Sequence, residues 1–189
     1  MSVVWLNGPI VSGKSTLAYA LRALVNPVAA VALLDEDEIR EAVGDSAASD
    51  ADRPSPDEQM SGIARVLAQQ GLVVIVAASE SAAALLLWNR VNLPGYREVY
   101  LRASPETIKH RARRHRSVRG ANPPAPSMPR PALVRPTTDS ASKPDLTIDM
   151  DNPEPPELLA FRVAVLIPEF VVAAAGAAGV GAHQLRRGA

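Results

Sequence analysis

The stretch Val3-Val4-Trp5-Leu6-Asn7-Gly8-Pro9-Ile10-Val11-Ser12-Gly13-Lys14-Ser15-Thr16 constrains this chain more than any other. It runs as a short apolar strand, then G-x-x-x-x-G-K-[ST], then the start of a helix. That is the phosphate-binding P-loop pattern in its proper context. Each part has a physical task. Gly8 and Gly13 allow backbone conformations closed to other residues and a close approach to a ligand. The loop through Pro9, Val11 and Ser12 turns its N–H groups inward as an anion-binding nest. The helix beginning near Lys14, with Ser15 and Thr16 in its first turn, adds the positive end of its dipole. Lys14 suits the β- and γ-phosphates, and the Ser15 hydroxyl suits Mg²⁺. A glycine-containing turn with an incidental Lys-Ser pair would not explain the spacing, the strand and the helix together. The stretch therefore predicts binding of a nucleoside triphosphate.

The rest of the chain repeats strand and helix in alternation. Apolar strands are expected at residues 2–6, 31–34, 72–77, 99–101 and 146–148. Between them, Leu17, Leu21 and Leu24 with Val25 mark one helical stripe, which Pro27 ends. A short helix carries Ile39 and Val43 and stops at Gly44. Ser55-Pro56-Asp57-Glu58 is a capping box with proline at the first helical position. The helix it opens should face the core with Met60, Ile63, Ala64 and Leu67, and end at Gly71. Residues 79–88 predict another helix. Ser104-Pro105-Glu106 opens one more, running through Arg111 to about His115, and the last spans residues 157–166. Such alternation predicts a three-layer α/β P-loop NTPase fold, a parallel sheet with helices on both faces. Ligands in such sheets sit beyond the carboxyl ends of the strands.

Residues 1–167 are expected to form a P-loop kinase domain. Residues 168–189 are expected to be an Ala/Gly-rich tail, frayed or loosely packed, whose apolar run leaves a homodimer contact open. Within the domain, residues 117–144 are rich in Pro, Ser and Arg and carry no periodicity, as in a lid or a disordered loop. Formal net charge is zero, so no overall field marks a nucleic-acid binder. The tail's apolar run is too short to cross a bilayer. There is no cysteine, which excludes disulfides, thiolate catalysis and cysteine zinc sites. With the loop pattern so close to Met1, a leader peptide is not expected and the cytoplasm is the natural compartment.

Three further clusters could carry chemistry. Asp35-x-Asp37-x-x-Arg40 follows a strand directly. Phosphoryl transfer needs a carboxylate to hold Mg²⁺ or to take the proton of an acceptor hydroxyl, and cations to hold an anionic acceptor. The bland alternative is that these acids only stabilise the start of the short helix. Arg53, after Asp52, could grip a substrate phosphate or sulfate or make a surface ion pair. Arg111, Arg113, Arg114, Arg116 and Arg119 lead into the expected lid, where one or two could stabilise a transferring phosphoryl group. Otherwise they form a solvated basic face. His110 and His115 have no metal-ligand partner at useful spacing. The apolar strand from Leu72 to Ala77 does not show the run-plus-aspartate pattern of a motor or switch GTPase, because it stops without an acid.

In its order of motifs the chain resembles adenylylsulfate kinase. The counterparts are Gly8 to Thr16, then Leu34-Asp35-Glu36-Asp37 with Arg40, and Asp52-Arg53. They continue with Leu72 to Ala77, Arg97-Glu98-Val99-Tyr100-Leu101 and Pro144-Asp145-Leu146-Thr147-Ile148-Asp149. The resemblance implies ATP and Mg²⁺, with the γ-phosphoryl group passed to a sugar hydroxyl. It implies Asp35 as base or metal ligand, Asp37, Arg40 and Arg53 on the acceptor, and Arg111 against the adenine of ATP. The departures lie on the acceptor side. Glu36 replaces the glycine between the two acids, and Pro56 stands where the family has asparagine. Ala77-Ala78-Ser79-Glu80-Ser81 replaces an Ile-Ser-Pro-Tyr stretch, and the aromatic residues that sandwich the acceptor's adenine are missing. The start, Trp5-Leu6-Asn7-Gly8-Pro9, also looks like antibiotic-modifying P-loop proteins such as chloramphenicol phosphotransferase. The expectation is an ATP-dependent small-molecule kinase acting on adenylylsulfate or on another hydroxyl compound. The alternatives are a nucleotide-dependent regulatory NTPase and a non-catalytic nucleotide-binding member of the family.

Overall fold

The computed structural model describes residues 1–43, 55–119 and 143–185. Among these, five strands form one parallel sheet: β1 (Val3–Gly8), β2 (Val31–Asp35), β3 (Val73–Ser79), β4 (Arg97–Arg102) and β5 (Leu146–Asp149). Their order is β2-β3-β1-β4-β5. β1 lies between β3 and β4, with Leu6 opposite both Ala77 and Val99. The helices are α1 (Lys14–Val25), α2 (Glu36–Val43), α3 (Pro56–Gln69), α4 (Ala83–Asn92), α5 (Pro105–Arg119), α6 (Pro156–Ala164) and α7 (Pro168–Leu185).

Every residue of β1 is buried, because the sheet is covered on both sides. Val4 and Leu6 face a core shared with Leu17 and Leu21 of α1 and Val163 of α6. Val3 and Trp5 face a second core made with Met60 and Ala64 of α3 and Leu86 of α4. The result is the expected three-layer α/β sandwich. The capping box at α3 is formed in full, with Ser55 Oγ accepting from the Glu58 amide and Glu58 accepting from the Ser55 amide.

Several expectations shift. Ile63 is exposed rather than in the core; Met60 and Ala64 fill that face of α3, with Leu67 partly buried beside them. β3 runs two residues past Ala77, and the helix expected from residue 79 starts instead at Ala83. An unbroken Ala/Leu run lacks the punctuation that would have fixed this boundary. α5 continues past His115 to Arg119. Gly44, Arg53 and most of the expected lid lie outside the described residues.

The segment expected to be a loose tail is helical from Pro168 to Leu185. Its first turn is held firmly. Glu169 accepts from Ser2 Oγ and pairs with the N-terminal ammonium, both at 2.8 Å. Phe170 meets Phe161 edge-on with centroids 6.2 Å apart. Composition hid this helix, because its anchors come from residues far away in sequence. No single helix among the described residues is long and apolar enough to cross a membrane.

Candidate nucleotide and acceptor site

The carboxyl ends of β1, β2 and β3 converge on the loop between β1 and α1. Gly8 closes β1 with φ of 150°, and a Cβ there would lie 2.6 Å from the Leu101 carbonyl oxygen. No side chain fits, so the residue type is dictated by the packing of β1 against β4. Val11 takes a positive φ of 58°, and Gly13 caps α1 with φ of 106°. The Ser12 amide donates to the Pro9 carbonyl at 3.2 Å. The first-turn amides of α1, including those of Ser15 and Thr16, have no intrahelical acceptor. Ser15 and Thr16 are exposed. The backbone is thus wound into the anion-binding shape that the spacing predicts.

Lys14 folds back over this loop. Its Nζ donates to the carbonyls of Gly8 at 3.0 Å and Pro9 at 2.7 Å. The side chain is only 8% exposed. Burial therefore lowers its pKa, against the opposing pull of Glu36, Asp37, Asp35 and Glu80. A triphosphate tail is the kind of group that would favour the charged form of a buried ammonium.

Arg111 reaches the same loop from α5. Its guanidinium donates to the Ser12 carbonyl at 2.7 Å and to the Met150 carbonyl at 2.6 Å, tying the P-loop to the end of β5. Arg113 and Arg114 are exposed. The side chains of His115, Arg116 and Arg119 lie outside the described residues.

The acids sit across the loop from Arg111. Asp35 ends β2 and is 4% exposed. Its Oδ1 accepts the Asp37 amide at 3.0 Å, which starts α2, while Oδ2 is buried with no hydrogen-bond partner among the described residues. Ser12 Oγ is similarly buried and unpartnered. Such orphaned oxygens beside a phosphate loop fit a site that takes a metal-bound triphosphate. Arg40 pairs with Glu36 and, at 3.2 Å, with Asp37. Arg53 lies outside the described residues, so its place relative to this group is not described.

Two acids that motif spacing alone does not single out act on Lys14. Glu36 turns inward and accepts the Ser79 amide at 2.8 Å. Glu80 follows β3 directly, with φ of 31°. Its amide donates to the Gly8 carbonyl at 3.1 Å, the same carbonyl that Lys14 holds. Asn7 Oδ1 accepts the Ser81 amide at 3.0 Å, and Trp5 donates to Ser81 Oγ at 3.2 Å, so the turn bearing Glu80 is anchored on β1. β3 ends at Ser79, two residues past Ala77 and without an acid of its own, and Glu80 follows it. Its last two residues bring Glu80 to the P-loop.

The sequence matches the adenylylsulphate kinase family over residues 1–117. The chain belongs to that family. A family relative, the adenylyl-sulfate kinase of Deinococcus deserti, is 34% identical over 111 residues. That match covers 58% of this chain and 61% of the relative, so the chain spans less than two thirds of that protein's length. The fold is shared with the Mycobacterium tuberculosis APS kinase solved in complex with AMPPNP and APS. Identity there is 20% and the TM-score 0.61, over 88% of this chain and 96% of that one. Shikimate kinase from Aquifex aeolicus also shares it, at 15% identity and a TM-score of 0.53 over 86% of this chain and 94% of that one. The match to the family ends at residue 117, where the expected lid begins.

Proposed function

We propose that the protein is an ATP-dependent kinase that transfers a phosphoryl group to the hydroxyl of a small acceptor. The observation that carries this reading is the setting of Asp35: buried, half-bonded, and near enough to act on the charge of the lysine that would hold the phosphates. Lys14 and the first-turn amides of α1 would hold the triphosphate, and Gly8, Pro9, Val11, Ser12, Gly13 and Thr16 shape its cradle. Arg111 holds the loop from behind and would lie beside the adenine. Ser15 and Asp35 would hold Mg²⁺, which when bound draws charge from the phosphoryl oxygens. The free oxygen of Asp35 is suited to orient the acceptor hydroxyl or take its proton. Asp37, Arg40 and Arg53 would hold the acceptor. Adenylylsulfate is one candidate acceptor, supported by family membership; another alcohol is supported by the changed acceptor-side residues.

A regulatory NTPase remains a second reading, favoured by one feature: Glu80 stands at the strand end beside the loop, where an acid could orient water. The test is to incubate the protein with γ-labelled ATP and a panel of acceptors. The panel holds adenylylsulfate, nucleosides, and aminoglycoside- and chloramphenicol-like alcohols. A labelled acceptor supports the kinase, labelled free phosphate alone supports the NTPase, and no release supports a non-catalytic binder. For the kinase, Asp35→Ala should lower turnover on the order of 10²-fold while ATP affinity changes little. Near-normal turnover in that variant would rule out the role given to Asp35.

A further inference from the structure

We propose that Arg90 is a positioning residue for the nucleotide loop: from the far end of the sheet it fixes the register of β5, and β5 in turn sets Met150 and Arg111 against the loop. The inference rests on the nucleotide-binding part of the reading above and adds a determinant outside the site. Arg90 lies in the last turn of α4. Its Nη2 donates to the Lys143 carbonyl at 3.0 Å and to the Glu98 carboxylate at 3.3 Å, and its Nη1 donates to Asp145 Oδ2 at 3.3 Å. The Tyr96 ring lies against the same guanidinium, with its centroid 5.5 Å away. Asp145 is tied to β4 as well. Its side chain accepts the Glu98 amide and its amide donates to the Glu98 carbonyl, both at 2.8 Å. Arg90 therefore grips the chain where it enters β5.

β5 needs that grip because its own side-chain pattern does not fix its register. It is a four-residue strand at the edge of the sheet, and among the described residues it pairs with β4 alone. Leu146, Ile148 and Met150 face the core shared with α1 and α6. A slip of two residues towards the P-loop would keep that face apolar, with Leu146 in the place of Ile148 and Ile148 in the place of Met150. At the far end of the strand, the bonds of Arg102 with Asp149 and of the Ser104 amide with Asp151 are exposed, and they oppose a slip weakly. At the entry end, Glu98 is 2% exposed and holds Arg90 in one place. A slip would carry Lys143 and Asp145 away from a guanidinium that cannot follow. The strand transmits this setting about 16 Å from Asp145 to Met150, at about 3.3 Å per residue. There the Met150 carbonyl accepts Arg111 at 2.6 Å, and Arg111 holds the Ser12 carbonyl at 2.7 Å. Met150 Cε lies 3.1 Å from where a Cβ on Gly13 would stand. A slip would bring Ile148, shorter and branched at Cβ, beneath Gly13.

The chain has no cysteine, so one engineered disulfide can both report and lock the register. Tyr100 and Thr147 are Cα partners across β4 and β5, and neither is buried. Neighbouring strands lie within disulfide reach. Full-length protein with Tyr100→Cys and Thr147→Cys is the parent. Into it go Arg90→Met and, so that no carboxylate is left buried without its cation, Arg90→Met with Glu98→Gln. Arg90→Lys keeps a cation beside Glu98 but not the planar fork, and it supplies the reading if the other variants do not fold. Each protein is compared reduced and oxidised, well below its denaturation midpoint. Binding of a non-hydrolysable ATP analogue, the rate of disulfide formation and hydrogen exchange at the Ser12 and Met150 amides are measured. Reduced, the Arg90→Met variants should bind the analogue about tenfold more weakly than the reduced parent, the order for losing one charge-assisted hydrogen bond. Oxidised, they should return to within about twofold of the oxidised parent. Their disulfide should form more slowly, and both amides should exchange faster, than in the parent.

A residue that only adds stability would lower the midpoint and leave affinity below it unmoved. Analogue binding that weakens in the reduced variants and recovers with the disulfide carries the inference. Affinity equal to the parent's in the reduced variants, a loss that the disulfide does not restore, or a disulfide that fails to form in the parent overturns it and leaves the nucleotide reading standing. If the parent binds no analogue, the nucleotide reading falls. The register role is then kept by slower disulfide formation and faster exchange at Ser12 and Met150 in the Arg90 variants, and overturned if both are unchanged.

Discussion

The two ends of the cleft are built by different means. The end proposed for the nucleotide donor is made of backbone: Gly8, Val11 and Gly13 at positive φ, with carbonyls that hold Lys14 and Arg111. Its side chains serve mainly to fix peptide groups in place. The end proposed for the acceptor is made of side chains: Glu36 and Asp37 pair with Arg40 at the start of α2, and Glu36 takes the Ser79 amide at the end of β3. A backbone-built site tolerates almost no substitution, because each residue is fixed by a dihedral angle or a missing Cβ. A side-chain-built site can be re-tuned one charge at a time.

The sharpest way to test the donor end is Lys14→Met. It removes the cation that the loop carbonyls position, and any phosphoryl transfer or ATP hydrolysis should fall on the order of 10³-fold. Turnover of labelled ATP measures it. A loss of less than tenfold would mean that the amide nest alone does the work assigned to the ammonium.

Gly8→Ala against Asp37→Ala compares the two ends by stability. The alanine Cβ would meet the Leu101 carbonyl at 2.6 Å in a region of φ that L-residues rarely adopt. A cost of about 2–4 kcal/mol is expected in urea denaturation. Asp37 is exposed and its ion pair with Arg40 is half-exposed, so its loss should change stability by no more than about 0.5 kcal/mol. Equal effects would erase the distinction between a backbone-built and a side-chain-built end.

The same distinction explains what could be seen in the sequence. A site written in backbone geometry leaves a fixed signature, so Gly8, Gly13 and Lys14 are legible from spacing, and the strand and helix around them follow. The parallel sheet is legible because its buried strands are unbroken apolar runs, as in β1 and β3. Asp35 is legible because it ends such a run. Glu36 and Glu80 are not, because their direction depends on which amide each strand end leaves free. Ser79 and Gly8 are neighbours only in the folded sheet. Extending the third apolar run through the small residues Ala78 and Ser79 would have brought Glu80 forward. The α7 helix was hidden for a related reason, since its anchor at Glu169 is the chain's own N-terminus.

The smallest expected effect concerns pH and the cost of burying Lys14. Burial lowers its pKa below 10.5 in the folded protein, with the surrounding acids opposing the shift. The unfolded chain keeps that proton up to 10.5, so between the folded value and 10.5 the unfolded state binds more protons. Stability contributed at this site must therefore rise with pH through that window. Below it the full cost of a buried charge is present, and above it the cost is gone. Lys14→Met has no such group, so the difference in denaturation midpoint between wild type and variant should move in favour of wild type as pH rises to 10.5. Groups common to both proteins cancel in that difference. With a non-hydrolysable ATP analogue bound, the phosphates would hold the ammonium charged to higher pH, and the rise should shrink or vanish. A difference that stays flat with and without the analogue would mean that the backbone carbonyls of Gly8 and Pro9 already offset the burial of Lys14, leaving no electrostatic demand at the donor end for a triphosphate to meet.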